Sequence, residues 1–208
     1  MSTSFYFLQL ASLIFGLVFT IKIIDFKKSA WIFYFLATIV GSFQFIDLSN
    51  FKIIEYLNNL PMYFHDLTLS LVAILIYNFI RIKPKKINTA NILFVSCLIL
   101  LTTILIISFY YLTIPTEMFA ADTYSIYNHI SLAFSIFVYV GGVLLAFGYV
   151  AGLLINAIFS LQFVAINIFL MIKFDIYPLH SFINIFFNIL MFCVFLYGYS
   201  KNKKKLSQ

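Results

Sequence analysis

Between Ser125 and Ile172 the chain carries no charged residue. Drawn as one α-helix, this stretch would run about 70 Å at 1.5 Å per residue, more than twice the roughly 30 Å of a bilayer's hydrocarbon core. It must therefore reverse direction. Gly141, Gly142, Gly148 and Gly152 are the positions where the backbone bends at least cost. A tight turn near Phe147–Gly148 divides the stretch most evenly, which predicts two antiparallel membrane helices in place of one.

Composition carries the argument to the rest of the chain. Of its 208 residues, 63% are hydrophobic and 10% are charged, where a soluble domain is nearer half apolar and a quarter charged. A chain of this size has too little interior to hide so much apolar surface from water. Spans of about 20 apolar residues are expected at 4–24, 30–48, 61–82, 91–113, 125–146, 149–172 and 178–200. The expected fold is all-α, a single polytopic domain over 1–208 built as a bundle of seven transmembrane helices. Pro61 and Pro178 are expected at helix starts, and Pro84 and Pro115 after helix ends, so that none interrupts a span. No internal repeat is visible, and the first apolar run lacks the basic start and small-residue cleavage site of a removable signal peptide.

Charge orients the bundle. The net charge is +6, but the cations lie in short clusters between apolar stretches, as in cytoplasmic loops of membrane proteins, and nucleic acid is not an expected partner. With seven spans, Lys22, Lys27, Lys28, Arg81, Lys83, Lys85, Lys86, Lys201, Lys203, Lys204 and Lys205 share one side, against Lys52 and Lys173 on the other. The positive-inside rule then puts the N-terminus outside and the C-terminus in the cytoplasm, with the chain in the cell membrane. The lysine tail is within reach of anionic headgroups. Cys97 and Cys193 lack a CxxC spacing and read as small packing residues within apolar helices.

That topology sorts the polar residues unevenly. Every histidine and every acid except Asp25 falls at or near the outer face. Glu55, Glu117, Asp122 and Asp175 read as solvated loop residues. Asp47, His65 and Asp66 fall inside or at the ends of spans two and three, where an uncompensated charge costs about 2.5–3.5 kcal/mol at the bilayer centre. Such groups usually face the bundle interior and pair, so Asp47 with His65 is the expected partnership. Gln9, Gln44, Gln162, Asn167, Asn184 and Asn188 lie in the outer halves of their helices, and the spacing of His180, Asn184 and Asn188 puts these three on one helix face. Two readings follow. One is a cavity open to the outside and lined by Asp47, His65, Asp66, Gln162, Asn167, His180 and Asn184. The other is scattered structural hydrogen bonding, worth about 0.6 kcal/mol per interhelical bond.

Catalytic and cofactor signatures are absent. There is no HxxxH or HExxH, no GxSxG, P-loop or GxGxxG, and no mid-helix lysine in the last two spans for a Schiff base, so no metal or cofactor is expected. Ser42, Asp47, His65 and His180 are superficially similar to the zinc-binding set of membrane hydrolases, but Asn184 stands where those have a second histidine. The segment Ser160–Asn167, SLQFVAIN, resembles the late helix of lysoplasmalogenase-type hydrolases, with Leu161 in place of the acid. From Pro178 to Lys205 the sequence PLHSFINIFFNILMFCVFLYGYSKNKKK resembles the closing helix of a loosely defined group of bacterial seven-helix proteins, similar to the membrane sensor portions of two-component systems. That resemblance implies an outward polar pocket coupled to a cytoplasmic or membrane signalling partner.

The sequence reading is therefore a non-enzymatic sensor that recognises a small ligand from the outer side. A small-solute transporter, similar in size and helix count to vitamin-precursor carriers of 3+1+3 architecture, is one alternative. The lack of an internal repeat and of mid-membrane prolines counts against it. An intramembrane lipid hydrolase is the other.

Overall fold

The structure is a computed structural model and describes residues 3–43, 53–80, 82–113, 136–174 and 178–208. It is a helical membrane protein, and the described residues form seven helices: α1 (Thr3–Ile23), α2 (Ser29–Ser42), α3 (Ile53–Phe79), α4 (Ile92–Thr113), α5 (Ile136–Ala146), α6 (Ala151–Phe174) and α7 (Leu179–Lys205). Among the described residues, α1, α6 and α7 are each long and apolar enough to cross a bilayer unaided. In lipid the backbone has no water to bond, and the hydroxyls follow the same rule: Thr20, Thr38, Ser70, Thr102 and Ser160 each donate to a carbonyl of their own helix.

The long uncharged stretch does reverse at Phe147–Gly148. Gly148 adopts φ +84° and ends α5 with two bonds, its own N–H to Leu145 O (2.9 Å) and that of Tyr149 to Leu144 O (2.8 Å). This is the left-handed cap that glycine supplies at no steric cost. Beyond it α5 and α6 run so close that a Cβ on Gly152 would lie 2.6 Å from the carbonyl oxygen of Gly141.

The turn between α1 and α2 repeats this arrangement bond for bond. Phe26 is the left-handed residue, at φ 52°. Its N–H bonds Ile23 O (2.9 Å), and the N–H of Lys27 bonds Lys22 O (3.3 Å). Ala30 and Trp31 then start α2 on the carbonyls of Lys27 and Lys28, as Gly152 and Leu153 start α6 on those of Tyr149 and Val150. A non-glycine residue in this conformation costs about 1–2 kcal/mol, and Phe26 offsets that by burying its ring in the core, where it is 6% exposed.

The helices thus form two triads, α1–α3 and α5–α7, joined by α4, and each triad opens with the same hairpin. What recurs between the triads is this backbone hairpin. It escapes the sequence because a phenylalanine and a glycine serve as the same cap.

The triads clasp each other at one end. The last turns of α7 pack on the first hairpin: Asn202 Nδ2 donates to Ile24 O at 2.7 Å, Gly198 lies against Ile24, and Lys201 pairs with Asp25 at 2.6 Å. In the mirror arrangement, the end of α3 meets the second hairpin. Tyr77 donates its hydroxyl to Leu145 O (3.1 Å), and Lys85 pairs through its backbone with Gly148 and Val150. The lysine clusters gather here, so this is called the basic end below.

Three further expectations change. Pro61 does not start a helix: α3 begins at Ile53 and passes through it, since helix neighbours in a membrane re-satisfy the backbone group a proline frees. α7 continues to Lys205, five residues past the expected end of its span. Cys97 and Cys193 are exposed, not packed inside.

Candidate functional site

The longer α3 changes the position of Asp66. It lies midway between Ile53 and Phe79, at the middle of a helix about 40 Å long, and not at an outer helix end. Two tyrosines flank its carboxyl group. Tyr34 of α2 donates to Asp66 Oδ1, and Tyr139 of α5 lies close enough to interact with the same side chain. Tyr34 belongs to the same triad as Asp66 and Tyr139 to the other, so this acid sits on the seam between them. Immediately below, Leu69 fits against Gly142 of α5.

Packing fixes the tyrosines. The Tyr34 ring lies 4.9 Å from Phe19 and 5.9 Å from Trp31, centroid to centroid. Trp31 is fully buried and also touches Phe19 (5.4 Å) and Tyr77 (6.2 Å). With Phe195 against Phe19 (6.5 Å), this aromatic cluster fills the space between the acid and the basic end.

A second polar cluster crosses the other seam, between α1 and α7. Gln9 Nε2 donates to the backbone oxygen of His180 (3.1 Å) and to Asn184 Oδ1 (2.9 Å). Gln9 is 3% exposed, and Phe5 packs edge-on against the His180 ring at 6.1 Å. Among the described residues Gln9 Oε1 and His180 Nδ1 are buried with no hydrogen-bond partner. Such atoms cost free energy unless a donor reaches them. Asn188, one turn further on, bonds Asn184 O at 2.9 Å, so the stripe on α7 is a chain of polar contacts facing α1.

The expected pocket residues therefore fall into groups. His180 and Asn184 come together, through Gln9. Asp66 is joined by two tyrosines. Gln162 lies on α6 with Oε1 buried and unpartnered among the described residues, and Asn167, on the same helix, bonds the carbonyl of Phe163 (2.8 Å). His65 precedes Asp66 in α3. Asp47, and with it the Asp47–His65 pairing, lies outside the described residues, as do Glu117, Asp122, His129 and Asp175. Sequence reasoning missed Tyr34 and Tyr139. Their signal was available: a tyrosine hydroxyl within a membrane helix needs a partner.

No protein-family model matches this chain, and no curated protein does. One solved fold does. The crystal structure of the vitamin B3 transporter PnuC is similar over 97% of this chain and 82% of that one, with a TM-score of 0.62 and 15% sequence identity. At that identity the likeness is one of fold: a helical membrane protein.

Proposed function

We propose that this chain is a membrane carrier for a small solute bearing N–H or O–H donors, bound on the seam between the triads at the depth of Asp66. The observation that carries the proposal is the pairing of Asp66 with a tyrosine from each triad. A carboxylate at mid-membrane is costly to keep, and carriers place their sites at this depth, on the boundary between two repeats. The seam between the two triads is the corresponding boundary. A transporter of similar fold supports the carrier over the sensor expected from the sequence, and the hairpin that opens both triads fits a two-part carrier.

In this reading the basic end faces the cytoplasm and the N-terminus lies outside, as the lysine distribution requires. The aromatic cluster and the two clasps close the cytoplasmic end. Solute enters from the outer side, past Gln9, His180 and Asn184, where Gln9 Oε1 and His180 Nδ1, unpartnered among the described residues, are free to meet a polar solute. Vitamin B3 is the first solute to test, because the similar fold carries it.

The test is uptake of labelled nicotinamide, within a panel of labelled amides, nucleosides and sugars, into vesicles containing the purified protein. The expected result is saturable uptake of at least one solute that scales with vesicle volume. Solutes that stabilise the protein in a melting assay yet never enter the vesicles would overturn the carrier in favour of the sensor.

A further inference from the structure

We propose that the basic end binds the phosphate headgroup of an anionic phospholipid, in a site formed between the α3–α4 loop and the last turns of α7.

Two lysine-rich segments far apart in sequence converge there. Lys86 Nζ hydrogen-bonds Ser207 Oγ at 3.3 Å, which brings Lys83, Lys85 and Lys86 beside Lys203, Lys204 and Lys205. All six are exposed. Among the described residues the one acid at this end is Asp25, and Lys201 already occupies it at 2.6 Å. The fold thus holds like charges together with no free acidic side chain beside them among the described residues, and an anion relieves their repulsion.

The cations are held on ordered backbone, unlike those of a loose stop-transfer tail. α7 stays helical through Lys205, and Leu206 and Ser207 bond back to the carbonyls of Asn202 and Lys204, each at 3.0 Å. Asn88 and Asn91 exchange side-chain-to-backbone bonds of 2.8 and 3.1 Å, and Asn91 Nδ2 also holds Lys86 O at 3.0 Å. Lys85 lies over the Tyr149 ring at 4.4 Å and Lys203 over Tyr199 at 5.8 Å, a lysine–aromatic pairing suited to the headgroup layer.

The chemistry favours a lipid over a soluble anion. Phe79 and Ile80, just before the loop, and Tyr197, just before the tail, are 85%, 57% and 62% exposed. Acyl chains lie against these residues while the phosphate meets the lysines. Such a lipid spans the two triads at the clasp.

Trp31, the chain's single tryptophan, lies at this end and reports binding. Energy transfer from it to phosphatidylglycerol labelled on an acyl chain is measured on the full protein in detergent, with labelled phosphatidylcholine and inorganic phosphate as separate arms. The expected result is saturable binding of phosphatidylglycerol, little transfer to phosphatidylcholine and no displacement by inorganic phosphate. Each lysine is worth roughly fivefold in affinity, so Lys86→Gln with Lys204→Gln weakens binding about 25-fold, while Lys27→Gln with Lys28→Gln changes it far less. Should the first pair fail to fold, Lys83→Gln with Lys205→Gln replaces it. Equal transfer to phosphatidylcholine, displacement by inorganic phosphate, or equal weakening by the control pair each overturns the proposal.

Discussion

Asn202 of α7 donates its side-chain amide to the carbonyl of Ile24 at 2.7 Å while also holding Gly198 O of its own helix at 2.8 Å. One buried residue, 4% exposed, thereby joins the end of the second triad to the first hairpin of the other. Asn202→Leu leaves the Ile24 carbonyl without its donor at a buried site, which costs about 1–3 kcal/mol. The neighbouring Lys201–Asp25 pair is two-fifths exposed on both sides, and an exposed pair contributes about 0–1 kcal/mol. Melting curves in detergent are expected to fall clearly for Asn202→Leu and little for Lys201→Met. The reverse order would show that charge, not the buried amide, makes the clasp.

Gly148 is expected to tolerate no side chain. Its φ of +84° disfavours any L residue, and a Cβ there would lie 2.7 Å from the backbone oxygen of Lys83. The left-handed conformation alone costs about 1–2 kcal/mol, and the backbone clash adds to it. Gly148→Ala is therefore expected to lower the melting temperature further than an alanine at an open helix position such as Ile158. Equal stability of the two variants would contradict the second hairpin as described.

Tyr34 and Tyr139 are expected to act through Asp66. Each Tyr→Phe change removes one hydroxyl interaction with it, worth about 1 kcal/mol. Because both interactions end on one carboxyl group, the two changes should not add. A double-mutant cycle read by thermal melting is expected to give a coupling of about 0.5 kcal/mol or more. Strict additivity would mean that the two tyrosines do not share this acid.

Gln9 joins α1 to α7 by two bonds, yet interhelical bonds in membranes average about 0.6 kcal/mol. Gln9→Leu is thus expected to cost little stability. If solute passes this seam, the same variant is expected to raise the half-saturating concentration for uptake several-fold, with the maximal rate kept. An unchanged half-saturation value would remove Gln9 from the solute's path.

The sequence made the architecture legible wherever cost was concentrated in a few residues. Forty angstroms too much uncharged helix demanded a reversal, and Gly148 supplied it. Where several solutions cost about the same, the sequence misled. Pro61 suits a helix start in water, but α3 passes through it, and that shift moved Asp66 from a helix end to the middle of α3. The likeness of the two hairpins was hidden because Phe26 meets the strain of its turn by core burial while Gly148 avoids strain altogether. Tyr34 and Tyr139 were lost among 27 phenylalanines and 14 tyrosines, since nothing in spacing separates a tyrosine that holds an acid from one that packs. The α7 stripe was readable from its periodicity; its partner Gln9, 171 residues from His180, was not.

The central claim, a carrier whose solute binds at Asp66 on the seam between the triads, is tested most directly by counterflow. Vesicles containing the protein are loaded with unlabelled solute and diluted into the same solute carrying label. The account predicts transient accumulation of label with the parent chain and its loss with Asp66→Asn, while both proteins melt as folded species. Equal counterflow in the two would contradict it.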